Sequence, residues 1–143
     1  GGCINERSKK EKEALESYGR NLGICFQISD DILDYNSKEE VFGKKIGNDF
    51  IEGKITLPII LLFQKSSPAE REQLQKFYTH NERSENEFKE TLKLIQKYQI
   101  IEACKKRADY FANVASDSLS IFEKNFVVEK LQELAFYIVN RIN

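Results

Sequence analysis

The chain has 143 residues, 41% of them hydrophobic, which suits one domain with a real core. Its 22 basic and 23 acidic residues give a net charge of −1, which leaves no electrostatic footprint for nucleic acid and no basic amphipathic face for an anionic membrane. The longest nearly unbroken apolar run, residues 55–63, is interrupted by Thr56 and Pro58 and falls far short of the ~20 residues that span a bilayer, so no transmembrane segment is expected. The cysteines Cys3, Cys25 and Cys104 are odd in number and widely spaced, with no CxxC or Cys/His metal pattern; reduced thiols in a cytoplasmic protein are the simpler reading. His80, the only histidine, sits in the polar stretch THNERSEN and reads as an exposed loop residue. The chain has no methionine and begins Gly1-Gly2-Cys3, so it is expected to be part of a longer protein whose earlier portion precedes Gly1.

Helix signals dominate in chain order. Ser8 and Glu11 have capping-box spacing, and Leu15, Tyr18, Leu22, Cys25, Ile28 and Ile32 follow with helical periodicity, predicting a helix from about Ser8 to Tyr35. Gly19 and Gly23 inside it are read as points of close packing against another helix. Ser37 and Glu40 predict a short helical turn over residues 37–41, and the Gly- and charge-rich remainder as far as Lys54 reads as an ordered loop. Thr56 and Pro58 open a helix through IILLF that is apolar almost all round and should be deeply buried. Ser67-Pro68 opens another, ending near Tyr78, and HNERSEN is a solvated loop. Ser84 with Glu87 starts a helix to about Gln99, residues 102–122 continue helical, and the last helix covers about Val127–Arg141. No strand-like alternation persists and no internal repeat is evident, so the predicted fold class is all-α.

Chemistry is concentrated in QISDDILDY, residues 27–35. On a helix Gln27, Asp30, Asp31 and Asp34 share one face, because residues three and four apart are neighbours. A solvated acidic face is the plain reading. Against it, the carboxylates interrupt the apolar run Ile24–Leu33 and oppose the helix macrodipole at its C-terminal end, a cost of about 0.3–1 kcal/mol each where exposed. Bunched carboxylates become favourable when a hard divalent cation bridges them, and Mg²⁺ takes one or two carboxylates with waters and phosphate oxygens. Downstream, Lys44, Lys45 and Lys54 lie beside Gly43, Gly47 and Gly53. Such a loop could be merely a charged surface loop. Following a carboxylate-rich helix end, though, glycine allows close backbone approach and lysine supplies a compact charge for phosphate oxygens.

The stretches FQISDDILDY and GKKIGNDFIEGKITLP together resemble the second aspartate-rich region of the trans-type isoprenyl (polyprenyl) diphosphate synthases: FQ-x-x-DD-x-x-D, then GK-x-x-G-x-D, then GK-x-TLP, in order over residues 26–58. Gly1-Gly2 and NLG at 21–23 are similar as well, and EGKITLP looks more like the quinone side-chain synthases than the farnesyl type. The resemblance implies the C-terminal half of an isoprenoid-synthase-type helical bundle, so that residues 1–143 form a single all-α unit of a larger domain. It implies that Asp30, Asp31 and Asp34 hold Mg²⁺ against an allylic diphosphate, that Lys44 and Lys54 contact that diphosphate, that Asp49 supports the metal-water shell or orients the lysines, and that Phe26 and Gln27 lie beside the reacting carbons. The allylic diphosphate would ionise, the cation would alkylate isopentenyl diphosphate, and a proton would be lost. The full-length enzyme would be a homodimer.

The pattern of the family also includes a first aspartate motif and a basic isopentenyl diphosphate motif, and neither is in these 143 residues; ERSKKEKE at 6–13 is mixed in sign and no substitute. The chain alone is therefore expected to lack condensation activity. Two other readings remain: a non-autonomous subunit of a heteromeric synthase, and a different Mg²⁺–diphosphate enzyme such as a terpene cyclase, which lacks the GK-x-x-G-x-D and GK-x-TLP continuation.

Overall fold

The computed structural model describes residues 6–36 and 46–142. Seven α-helices occur among them: α1 (Glu6–Asn36), α2 (Asn48–Glu52), α3 (Leu57–Lys65), α4 (Pro68–Phe77), α5 (Glu85–Lys97), α6 (Ile100–Ser118) and α7 (Phe126–Asn140), with a 3₁₀ turn over Leu119–Ile121. No strand occurs among the described residues, so the fold is all-α as the periodicity predicts. Among the same residues no helix is long and apolar enough to cross a membrane.

α1 starts ahead of Ser8, which therefore lies inside the first turn and is not the N-cap. Glu11, freed from the predicted capping box, instead accepts from Arg7 Nε at 3.1 Å across one helical turn. The packing expected at Gly19 and Gly23 is also absent: a Cβ added at either meets nothing within 4 Å among the described residues. The predicted turn over 37–41 lies outside the described residues.

The described residues form two compact units. The first comprises residues 6–29 and 106–142, hence most of α1, the later part of α6, and α7. Its core is built on small residues at helical spacing in α6, Ala108, Ala112 and Ala115, all fully buried, with Tyr18, Cys25, Leu119, Ala135 and Val139. Polar ties cross the helices: Tyr18 Oη donates to the Leu131 carbonyl at 2.7 Å, and the Ser17 and Ser118 hydroxyls meet at 2.7 Å. Cys25 is a free thiol, pushed above its ordinary pKa mainly by burial, and Cys104 in the second unit is also unbridged.

The second unit, residues 30–36 and 46–105, holds α2 to α5. Thr56 stands at the N-cap of α3 with Pro58 in the first turn, although its side chain makes no capping bond. Only one side of α3 is buried (Pro58, Ile59, Leu61, Leu62); Ile60 and Phe63 are exposed, with Ile55 just before the helix. The expectation of all-round burial fails because the described residues pack against only one face of this helix. Ser84 and Glu87 close the predicted capping box at α5, Glu87 N–H to Ser84 Oγ at 3.1 Å and Ser84 N–H to Glu87 Oε1 at 2.9 Å. The break between α5 and α6 is made by Gln99 in the left-handed region, φ 52°, with neither glycine nor proline to announce it. His80 is exposed, as predicted. The solvated HNERSEN loop is only partly so, because Arg83 in it is 6% exposed.

A second capping box, Ser67 with Glu70, opens α4. Glu70 also receives the Tyr98 hydroxyl and, at 2.9 Å, Lys97 Nζ, both near the end of α5. The Tyr98 hydrogen bond, then the Ser67 N–H and Lys97, lower the Glu70 carboxyl from 4.5 to about 2. A carboxyl depressed on folding contributes stability above its unfolded pKa and loses it as pH falls through the folded one. The native chain should therefore lose stability relative to Glu70→Gln between pH 4.5 and about 2, read from urea midpoints. Parallel curves for the two proteins would show that the network does not act on folding.

Candidate functional site

α2 has no side-chain cap of its own. Its N-cap is Gly47, at φ 83° with no side chain to offer an oxygen. The first N–H groups of a helix lack partners within it and normally take a side-chain oxygen at the cap. Here the oxygen arrives from 15 residues earlier: the Asp49 N–H donates to Asp34 Oδ2 at 3.1 Å in a buried bond. The Gly47 N–H donates to the Asp34 backbone carbonyl, also at 3.1 Å. The last turn of α1 thus organises the segment predicted as loop, and that segment becomes a five-residue helix.

At the other end Gly53, φ 82°, reverses the chain, and the Lys54 N–H donates to the Asp49 carbonyl at 2.8 Å. This reversal brings Lys54 Nζ within 3.8 Å of Asp49 Oδ1 and of Glu52 Oε2 while most of the lysine side chain stays in solvent. Asp34, Asp49 and Lys54, separated in sequence, are therefore neighbours: two buried carboxylates, 3% and 5% exposed, and one reachable ammonium.

An aromatic floor supports them. Phe50 of α2 meets Phe88 at 5.6 Å between ring centroids and Tyr78 edge-on at 5.7 Å, and Tyr35 meets Phe88 at 6.0 Å. Such tilted and edge-on pairs are each worth roughly 0.5–1.5 kcal/mol beyond burial. Burial pushes the Tyr78 phenol up to about 12. It pushes Tyr35 higher, with Tyr78 and the Asp34 and Asp49 carboxylates adding to the effect, so both rings stay protonated at ordinary pH.

Of the other residues singled out in the sequence, Asp31 is buried and Asp30 half-buried, so the acidic face is not a solvated stripe. Phe26 and Gln27 are exposed on α1 in the first unit, where the Arg141 guanidinium lies 4.8 Å from the Phe26 ring centroid. Lys44 lies outside the described residues, with Gly43 and Lys45. Among the described residues no three His, Cys, Asp or Glu side chains converge as a ready-made metal cage. The donors offered on α1 are all carboxylate oxygens, the set a hard cation takes when waters and a phosphate complete its shell. Arg83 and Phe88 escaped the sequence reading, Arg83 because it lies in a polar loop and Phe88 because one aromatic in a helix has no distinguishing pattern.

The chain is similar to known proteins over nearly its whole length. The model of the family described as Polyprenyl synthetase matches residues 1–95. The short chain isoprenyl diphosphate synthase of Methanothermobacter thermautotrophicus is 32% identical over 141 residues, covering 99% of this chain and 43% of the relative. Heptaprenyl diphosphate synthase component 2 of Bacillus subtilis is 30% identical over 141 residues, covering 99% of this chain and 39% of the relative. A polyprenyl synthase from Caulobacter crescentus CB15, solved with calcium and isoprenyl diphosphate, superposes with a TM-score of 0.85 at 36% identity, covering 98% of this chain and 42% of that one. The chain thus spans about two fifths of the length of the relatives it matches. With two thirds of its length inside the family model and a helical fold shared with a solved member, the chain belongs to the polyprenyl synthetase family.

Proposed function

We propose that this chain supplies the second aspartate-rich wall of a Mg²⁺-dependent prenyltransferase that condenses an allylic diphosphate with isopentenyl diphosphate. The observation that carries the reading is the joining of Asp34, Asp49 and Lys54 through α2, directly beyond the carboxylates of α1. Asp30, Asp31 and Asp34 are the proposed metal ligands. When bound, Mg²⁺ neutralises charge on the leaving diphosphate. Lys54, tethered near Asp49 yet largely in solvent, swings onto the same diphosphate and stabilises the charge that develops as it departs. Lys44 shares that role on the resemblance, and Asp49 holds Lys54 in place. Phe26 and Gln27 border the reacting carbons, where an apolar wall keeps water from the carbocation. The complete enzyme is proposed to be cytoplasmic and homodimeric, with the first aspartate motif and the isopentenyl diphosphate site supplied by the part of the domain that these 143 residues do not include.

A second arrangement has its own support, since one relative is named as a component of a heptaprenyl synthase: the completing wall is then a separate subunit. Calorimetry of the 143-residue chain with inorganic pyrophosphate is the direct test. Binding should require Mg²⁺ and should disappear in Asp30→Ala, while the chain alone forms no polyprenyl diphosphate. Pyrophosphate binding that is indifferent to Mg²⁺, or to Asp30, removes the metal assignment. Product formation by the isolated chain removes the half-site.

A further inference from the structure

The least expected buried group in the second unit is Arg83. Its guanidinium Nε donates to the Ile51 carbonyl at 3.3 Å, Nη1 to the Phe77 carbonyl at 3.2 Å and Nη2 to the Asn81 carbonyl at 2.7 Å. The Arg83 backbone N–H also donates to the Ile51 carbonyl, at 3.3 Å. Phe77 is the last residue of α4 and Ile51 stands in the last turn of α2, so both acceptors are carbonyls that a helix leaves unpaired at its C-terminal end. The positive charge lies over the Tyr78 ring at 5.4 Å and makes no ion pair with a carboxylate among the described residues. Carbonyls and an aromatic face are the environment a guanidinium tolerates better than an ammonium, because it is weakly hydrated and its donors are fixed in a planar fork. The backbone of Gly53 lies against the same group: a Cβ there would stand 3.1 Å from Arg83 Cζ.

We infer that Arg83 is a positioning residue, a buried clamp whose fork fixes the Gly47–Lys54 segment and through it the aim of Asp49 and Lys54 toward a diphosphate. The fixing is local and is written in the hydrogen bonds; the diphosphate rests on the proposed function. Arg83 joins the C-terminal end of α2 to that of α4 as Asp34 joins its N-terminal end to α1, so α2 is held at both ends by side chains from outside it. Without Arg83 the Gly53 reversal loses its backing and the Lys54 ammonium its fixed origin.

Two measurements on the full 143-residue chain test the clamp. Without ligand, Arg83→Met should speed hydrogen exchange at the Asp49 and Lys54 amides about tenfold and leave the amides of α5 and α6 unchanged. With Mg²⁺ and inorganic pyrophosphate, its affinity should fall by about tenfold while the urea midpoint of α6 protection holds. Arg83→Lys keeps a charge near Tyr78 but cannot span three carbonyls, so it should loosen the same two amides; this variant keeps the test sharp should methionine at a buried position unfold the chain. Unchanged exchange at both amides in both variants overturns the clamp, as does loosening spread evenly over the molecule. Native pyrophosphate affinity in a loosened Arg83→Met overturns the positioning role alone. A native chain that binds no pyrophosphate overturns the diphosphate reading, and the ligand-free exchange result stands apart from it.

Discussion

Alanine in place of Asp34 should have two separable effects, and the neighbouring positions show which is which. Removing the carboxylate leaves the buried Asp49 N–H without its acceptor, a loss of about 1–3 kcal/mol. Asparagine keeps an acceptor oxygen at the same distance along the side chain but no charge, so Asp34→Asn should unfold near the native urea midpoint while Asp34→Ala unfolds well below it. Asp30 is half-buried and offers α2 no cap, so Asp30→Ala should stay within about 0.5 kcal/mol of native stability. Mg²⁺-dependent pyrophosphate binding, by contrast, should be lost in all three, because each lacks one of the carboxylates proposed to hold the cation. Equal urea midpoints for the alanine and asparagine variants at position 34 would show that the carboxylate does not cap α2. Retained Mg²⁺ dependence in Asp34→Asn would show that it does not serve the metal.

Gly47→Ala should be the most damaging single methyl in the second unit. Its backbone sits at φ 83°, where a side chain costs roughly 1–2 kcal/mol. The new Cβ would also stand 2.6 Å from Phe88 Cε2 and 2.7 Å from Cζ, and overpacking of this kind costs about 1–3 kcal/mol. The two terms have different origins and a double-mutant cycle separates them. In a Phe88→Ala background the clash is gone and only the backbone term of roughly 1–2 kcal/mol should remain. A cycle with no coupling would mean that the ring simply turns aside in the single variant.

Helices were legible from the sequence wherever periodicity and caps coincided, as at Ser84 with Glu87 or Ser67 with Glu70. They were not legible where the cap comes from a distant residue. α2 is the clearest case: its N-cap is a glycine that supplies no oxygen, and the oxygen it uses belongs to α1. Ser8 misled in the opposite sense, since S-x-x-E spacing inside an already started helix looks the same as at its start. Gly19 and Gly23 misled because glycine in a helix marks either a close neighbour or open space, and among the described residues both face open space. The carboxylates of the candidate site were readable because they break local preferences on their own helix. Arg83 was not, because a buried arginine satisfied by backbone carbonyls needs no complementary acid in the sequence to betray it.

The bond between Asp34 and the Asp49 amide has a consequence for how mutational tolerance at this site is interpreted. A survey scoring only the amount of folded protein would place Asp34 among the structural residues; under the proposed metal role, one scoring only turnover of the complete enzyme would place it among the catalytic ones. Glutamate preserves the charge but lengthens the side chain by one methylene, so it cannot keep its oxygen on the same amide without shifting the backbone that carries it. Among the described residues Asp30 caps no helix, and a charge-preserving replacement there bears chiefly on the proposed metal. The two aspartates of one motif should therefore show different spectra of permitted substitutions, with the narrower one at the position that answers to both selections.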